Sequence, residues 1–427
     1  MKRLLPIAIL LFLASSFRAA ELPSLIIPQG VGINIHFVRG HERDLDLIAA
    51  AGIKFIRMDF GWVGIEQKKG EYDWSEYEAL TANLEKRGLR AIYILDYSNP
   101  LYEEPVASKN PLNGHEHRDT ASPQNPESIA AYAKWAAAAA KHFSSRHIIW
   151  EIWNEPNITF WKPKPDVQQY NTMCLAALKA IRAADPGATI VAPATSRVDL
   201  QFLEVFCASG ALEYIDGVSV HPYRNYDQGP ETAANDYASL RALIEKYAPA
   251  DKKNLPIISG EWGYSTFSHG LSLDKQADFV ARQQLVNLLN HIPISIWYDW
   301  QNDGENPDER EENFGIVSYD LKPKPAYIAL RTLTTQINDF QIDYRLPTGH
   351  QSDYVILFKS KSNGGVAEKL AAWTTTEPHD LAIDSGHATK AWITDSKGST
   401  RTPFTKVEYG KAQIHLDESP IYITFER

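Results

Sequence analysis

Residues 148–157 read Ile-Ile-Trp-Glu-Ile-Trp-Asn-Glu-Pro-Asn. A short apolar run passes directly into polar residues around a proline. Such a run reads as a buried strand whose polar end emerges at the mouth of a parallel sheet. Working outward, seven further runs of this kind follow the same rhythm: Val31–Phe37, Phe55–Phe60, Ala91–Tyr97, Thr189–Ala194, Ile215–His221, Pro256–Trp262 and Ile294–Trp300. Amphipathic segments lie between them, among them Ser75–Arg87, Asn125–His142, Val167–Ala184, Glu231–Tyr247, Leu273–Leu289 and Pro325–Gln336. Ser75 with Glu78 fits a capping box. Asn125-Pro126-Glu127 sets a cap residue before a first-turn proline. Eight strand–helix units over roughly 310 residues is the count of a (β/α)8 barrel. The first run ends Asn34-Ile35-His36-Phe37 without a glycine-rich turn, which disfavours a dinucleotide-binding sheet. The expected fold is therefore α/β, a TIM barrel over residues 27–338.

Beyond about residue 340 the pattern shortens to alternating runs at Tyr354–Lys359, Leu370–Thr375, Thr389–Thr394, Ala412–Leu416 and Ile421–Phe425. Turn residues such as Ser362-Asn363-Gly364-Gly365 separate them. This reads as a C-terminal antiparallel β-sandwich over 340–427, packed directly on the barrel. Trp373 and Trp392 are its candidate carbohydrate-stacking aromatics, although a packing role for the domain fits better.

The chain of 427 residues is 44% hydrophobic and 22% charged, as an ordinary globular protein is. Its 53 acidic residues outweigh 43 basic ones, for a net charge of −10. That argues against the basic face that nucleic acid or an anionic membrane would need, so neither is expected as a partner. Eleven Trp and 20 Tyr suit either sugar stacking or a large core. Lys2 and Arg3 precede an apolar run from Leu4 to Ala14, then Ser15, Ser16 and Ala19-Ala20. Residues 1–20 thus read as a signal peptide, and the protein as secreted or periplasmic and a monomer. Two cysteines, Cys174 and Cys207, exclude a disulfide-dense scaffold and a thiolate zinc cluster. They fit one bridge or two buried thiols equally.

In a barrel the chemistry sits at the C-terminal strand ends. Two carboxylates stand there after apolar runs, Glu155 and Glu261, three strands apart and so facing each other across the mouth. A proton-donating carboxyl and an ionised one across a sugar-sized cleft are what glycosidic bond cleavage requires. Glu151 lies too early in its strand to reach the mouth and belongs to the barrel interior. Arg57 can hold a carboxylate ionised or form an ordinary interior salt bridge. Asn154 can bind a sugar 2-hydroxyl. Tyr223 can orient Glu261 or stack on substrate. His221 can bond near Glu261, touch substrate or be a packed core histidine. Asp96 ends the third run. Trp297 or Trp300 is the expected floor beneath the reacting sugar, and Trp161 a platform for the leaving group. Asn225, Tyr226 and Gln228 follow the sixth run and can line the cleft. The long segment from Asn99 to Pro123 is expected to be functional or mobile. The acidic loop from Gln301 to Asn313 reads as a solvated surface. His115-Glu116-His117 has no matching ligand set on later strands, so no metal and no cofactor are expected.

The run Trp153-Asn154-Glu155-Pro156-Asn157 resembles the Asn-Glu-Pro motif of clan A glycoside hydrolases. Arg57, His221, Tyr223 and Glu261 fall where that clan carries site residues. The resemblance implies Glu155 as acid/base and Glu261 as nucleophile, with retention of anomeric configuration. Within the clan, Gly32-Ile33-Asn34-Ile35-His36-Phe37, Asp96-Tyr97-Ser98-Asn99-Pro100-Leu101-Tyr102 and Ser295-Ile296-Trp297-Tyr298-Asp299-Trp300 are most similar to family 39, in its bacterial exopolysaccharide-cleaving branch, with family 5 next. His36 is thereby a substrate-binding candidate. The expected activity is hydrolysis of a β-linked poly- or oligosaccharide by double displacement. The two carboxyl groups should then stand about 5–5.5 Å apart. A glycan-remodelling transglycosylase using the same residues, or a silent polysaccharide-binding barrel, are the alternatives.

Overall fold

The structure is a computed structural model that describes residues 22–426 apart from 110–115, 361–367, 386–387, 389, 399–400, 405–406 and 409. The proposed signal peptide and His115 lie outside the described residues. Eight parallel strands close into a barrel. They are β1 (Val31–Asn34), β2 (Phe55–Gly61), β3 (Arg90–Asp96), β4 (Ile149–Ile152), β5 (Thr189–Ser196), β6 (Gly217–His221), β7 (Ile257–Trp262) and β8 (Ser295–Trp297). Closure is direct, with Ile296 of β8 in register with Gly32 of β1. The outer ring is α1 (Glu42–Ala50), α2 (Ser75–Glu85), α3 (Pro126–His142), α4 (Val167–Ala184), α5 (Leu200–Ala208), α6 (Ala233–Tyr247), α7 (Leu273–Leu289) and α8 (Pro325–Gln336). Asn125 caps α3 as expected, its side chain accepting from the Ser128 N–H. Ser75 does not cap α2. It is the first helical residue, and its N–H donates to Asp73 Oδ1 instead. The segment after β3 is not all loop, since Pro105–Lys109 and Glu116–Thr120 pair as a hairpin.

Phe55, Ile92, Ile149, Val191, Ile258, Ile294 and Ile296 fill the barrel interior. Nine tryptophans, Trp62, Trp135, Trp150, Trp153, Trp161, Trp262, Trp297, Trp300 and Trp373, are fully buried. The Trp-rich composition therefore serves the core between strands and helices. Cys174 and Cys207 are both free and buried, which settles the open question against a bridge. Among the described residues no helix is long and apolar enough to cross a membrane.

The C-terminal region forms a seven-stranded antiparallel sheet facing a three-stranded one, with Val355, Leu357, Leu370, Ile383, Ile414, Leu416 and Ile423 between them. Its first strands escape the sequence reading. Ile26–Ile27, ahead of the barrel, pairs with Phe340–Arg345 and so ties both ends of the barrel to the sandwich. Helix α7 is the docking surface. Lys397 Nζ donates to Asp274 Oδ1 at 2.6 Å, Ser419 to Asp278, and Lys275 to Glu418. Trp373 is no glycan platform. It stacks on Tyr354 with centroids 4.8 Å apart, and its indole N–H donates to Glu231 Oε1 at 2.9 Å. Glu231 is held in turn by both arms of Arg282 at 2.8 Å. Trp373→Phe should cost about 1.5–3 kcal/mol, the worth of one hydrogen bond to a charged group left unmade. A denaturant midpoint that does not move would place the interdomain hold elsewhere.

Candidate active site

The strand ends converge on a cleft of about 610 Å³. Its lining includes Asn34 and His36 after β1, Arg57 and Asp59 of β2, Tyr97, Asn154, Glu155, Phe160, Tyr223, Glu261 and Tyr298. Glu155 is presented by a sharp turn. Trp153 and Glu155 have φ of 68° and 46°, a region costly for residues with a Cβ. The Glu155 N–H bonds to the Ala194 carbonyl at 3.0 Å, which holds that turn against β5. On β7, Gly260 leaves room beneath the site. A Cβ there would stand 2.4 Å from Ser219 Oγ and 3.0 Å from Glu151 Oε1.

Arg57 is the centre of the site and has no exposed surface. Its Nε donates to Glu151 Oε2 at 2.5 Å. Nη1 donates to Glu261 Oε2 at 2.5 Å and Asn34 Oδ1 at 3.3 Å. Nη2 reaches Asn154 Oδ1 at 2.9 Å and His221 Nε2 at 3.2 Å. A guanidinium has five N–H groups, and each has a protein partner here. Arg57 therefore has no donor left for a sugar and acts by holding the carboxylates. Glu151 is buried within the barrel, where Ser219 also donates to it at 2.5 Å.

The environments of the two facing carboxylates differ. Glu261 takes Arg57 on one oxygen and the Tyr223 hydroxyl on the other, at 2.8 Å. Both partners donate to its carboxylate. Burial pushes the Glu155 carboxyl up to about 7, against the opposing pull of Ser196 and Arg57. His221 Nδ1 lies 2.9 Å from Glu155 Oε1. Burial, reinforced by the Arg57 charge, lowers His221 to about 4, so the ring is neutral. Because Arg57 can only donate, His221 Nε2 must accept and Nδ1 carries the proton. His221 thus donates to Glu155 Oε1 and leaves Oε2 for the carboxyl proton. An oxygen of Glu155, one of Glu261 and a ring nitrogen of His221 all lie within 4.8 Å of one another. The guanidinium already among them disfavours a metal ion there.

Several expected contacts are corrected. His221 is fully buried and bonds Glu155, while its Nδ1 stands 4.0 Å from Glu261, so it touches no substrate. Trp297 and Trp300 are not the floor. Ile294 and Ile296 face the barrel interior, and the two-residue period turns Trp297 toward the helices. Tyr298 takes the inward place and lines the cleft. Trp300 is buried beside α1, where its indole donates to Asp44 at 2.8 Å. Trp161 is buried against Trp153 and Tyr170, and the exposed aromatic is its neighbour Phe160, stacked on Tyr97 at 5.7 Å. Asp96 is fully buried, and burial and the Asp59 charge raise its carboxyl well above the usual range. Asp59 is the exposed carboxylate of that corner. The loop from Gln301 to Asn313 is not simply solvated, for Arg310 and Glu311 line the cleft and Asp303 approaches His36 at 3.4 Å. Burial opposes charge on His36, but Asp303 and Asp299 outweigh it and raise the ring to about 9. His117 lies beside Asp119 at 2.8 Å.

Asn34, Phe160, Arg197, Tyr298, Arg310 and Phe314 were not singled out as site residues from sequence. Strand parity would have exposed Tyr298. Nothing local marks the loop residues Arg197 and Arg310.

The sequence family described as cellulase (glycosyl hydrolase family 5) matches residues 27–306. A β-xylosidase from Caldicellulosiruptor saccharolyticus is 25% identical over 236 residues, 49% of this chain and 46% of that relative. One from Geobacillus stearothermophilus is 26% identical over 232 residues, and the match covers 45% of its length. The chain thus spans less than half the length of these relatives. A solved family 39 glycoside hydrolase from the gut symbiont Bacteroides cellulosilyticus WH2 shares the fold, with a TM-score of 0.78 and 24% identity over 95% of this chain and 82% of that one. A family 39 β-xylosidase from Caulobacter crescentus does so with a TM-score of 0.65 and 17% identity over 96% and 98%.

Proposed function

Because the chain belongs to the cellulase family of clan A glycoside hydrolases, glycosyl hydrolase family 5, with a fold most like that of family 39, we propose that it is a retaining hydrolase of β-linked glycans. The observation that carries this reading is the carboxylate pair. Oxygens of Glu155 and Glu261 lie within 4.8 Å, the first on a carboxyl raised by burial and the second on one bonded by a guanidinium and a phenol hydroxyl. So close an approach suits double displacement, in which the second carboxylate itself attacks the sugar. Glu261 attacks the anomeric carbon as Glu155 passes its proton to the leaving oxygen. The C–O bond breaks and a glycosyl ester forms on Glu261. Glu155, now a carboxylate, takes a proton from water, which attacks the same carbon and frees Glu261. His221 holds Glu155 through Oε1 in both steps. Xylose-type β-glycosides are the first substrates to test, since the relatives similar to this chain are β-xylosidases. We read residues 1–20 as a signal peptide, which would send the enzyme to the periplasm or outside the cell, where it acts as a monomer on poly- or oligosaccharide.

The test is chemical rescue on an aryl β-glycoside panel. Glu155→Ala should lose about 10²–10⁴-fold in rate on a poor leaving group, the usual share of general acid–base catalysis. Azide should restore turnover on an activated aryl glycoside and yield the β-glycosyl azide. Product with inverted configuration would overturn the assignment. The proton donor also sets a pH limb. Glu155 is active as an acid only when protonated, so kcat/KM should fall as pH rises through about 7. A limb that persists unchanged in Glu155→Ala would belong to another group.

A further inference from the structure

The cleft does not end at Glu155. Arg197 and Arg310 also line an adjoining recess of about 590 Å³. Its wall continues with Arg224, Asn225, Tyr226 and Asp227. Three arginines against one carboxylate is an unusual balance on a chain of net charge −10.

The arginines are not equally engaged. Arg224 is mostly buried and paired with Asp236 at 2.5 Å, so it forms the wall. Arg310 donates through Nε to Tyr226 at 3.0 Å and through Nη1 to Glu311 at 2.5 Å. Among the described residues Arg197 has no carboxylate partner, only Asn225 Oδ1 at 3.3 Å from its Nη2. It is also held at φ 57°, with Thr195 Oγ1 bonded to its carbonyl at 2.9 Å. The exposed cation is therefore carried on a backbone fixed beside the site.

The position of the recess gives its role. Arg197 follows β5, whose Ala194 carbonyl anchors the turn bearing Glu155. Asn34, His36 and Asp59, from β1 and β2, line the cleft but not the recess. The recess thus continues the cleft away from β1 and β2, with Arg197 following the strand that anchors the turn of the proton donor. A neutral sugar is served by aromatic faces and hydroxyl partners. A guanidinium fork matches a carboxylate, in geometry as well as charge.

We propose that this recess is a leaving-group subsite for a negatively charged sugar, a uronic acid whose carboxylate is held by Arg197 with help from Arg310. The inference rests on the reading of Glu155 as the proton donor. It makes the natural substrate an acidic glycan cut on the non-reducing side of a uronate.

The test is a binding titration of the full chain carrying Glu261→Gln, which keeps the ligand uncut. The ligands are β-linked disaccharides with xylose, glucose, galactose or mannose ahead of a reducing-end glucuronic acid, each beside its carboxyl-reduced counterpart. The acidic member of at least one pair should bind about tenfold or more tightly, as a hydrogen-bonded charge pair allows. About 0.5 M salt should shrink that ratio. Arg197→Gln should bring the ratio close to one, and Arg197→Lys should keep only part of it, with unfolding midpoints reporting intact folds. Lys246→Gln, an equal charge change on the exposed face of α6, should leave the ratio alone. A 6-sulfated glucose counterpart tells which anion the fork prefers, and preference for either anion over its neutral parent supports the subsite. Equal binding of acidic and reduced forms, a preference that survives Arg197→Gln, or no binding at millimolar ligand would overturn it. Cleavage persisting in the Glu261→Gln chain would instead sink the catalytic reading, and neither failure produces the other.

Discussion

Glu261→Gln should lower kcat on an activated aryl β-glycoside by about 10⁴–10⁶-fold, the scale seen when a covalent nucleophile is removed from a preorganised site. The substitution keeps the shape of the side chain and removes only the anion. Arg57 retains Glu151, Asn34, Asn154 and His221, and Tyr223 can still donate to the amide oxygen. The fold should therefore survive, and an unfolding midpoint near that of the parent would show it. In Glu261→Ala, which vacates the place of the carboxylate, added azide should attack the anomeric carbon directly and give the α-glycosyl azide, because no glycosyl ester can form there. The combination separates this residue from Glu155, whose loss is rescued with the opposite configuration. Activity within about 100-fold of the parent would mean that the nucleophile is another group.

The strands were legible because each buried strand of a parallel barrel is a nearly continuous apolar run, and the turn residues between runs are polar. Glu155 and Glu261 were legible for the same reason, since a carboxylate directly after such a run has few places to go except the mouth. What failed was direction. Trp297 and Tyr298 are adjacent, and so are Phe160 and Trp161. In each pair one side chain faces the cleft and the other the helices, and bulk favoured the wrong member. Ile294 and Ile296 fix the parity of β8, so Tyr298 was recoverable from the alternation. No such rule exists for the loop after β4. The pairing of Ile26–Ile27 with Phe340–Arg345 spans the whole barrel, and two residues carry too little pattern to announce a strand. The arginine recess escaped for a related reason, because Arg197, Arg224 and Arg310 come from three separate loops.

Arg57, read from sequence either as a partner of a site carboxylate or as an interior salt bridge, is both at once, bonding Glu261 and Glu151, and its substitution should have the largest effect on stability. Arg57→Met is expected to destabilise the fold by about 3–5 kcal/mol, the usual result of removing one partner from a buried ion pair. The reason is what stays behind. Among the described residues Glu151, fully buried, keeps only Ser219 as a side-chain donor, and Glu261 only Tyr223. Removal of the guanidinium leaves two carboxylates facing each other across the barrel with no cation between them. Asn154 and His221 lose their orienting contact at the same time, so the geometry of Glu155 loosens through His221 Nδ1. Arg57→Lys discriminates charge from geometry. An ammonium is a point charge on a flexible stem and cannot reproduce a five-donor fork. It should restore much of the stability while kcat stays low, because one ammonium cannot hold Glu151, Glu261, Asn154 and His221 together. Denaturant midpoints and kcat measured on both variants check this directly. A Met variant within about 0.5 kcal/mol of the parent would show that the barrel interior tolerates the bare carboxylates. A Lys variant with full kcat would show that Arg57 contributes charge alone and positions nothing.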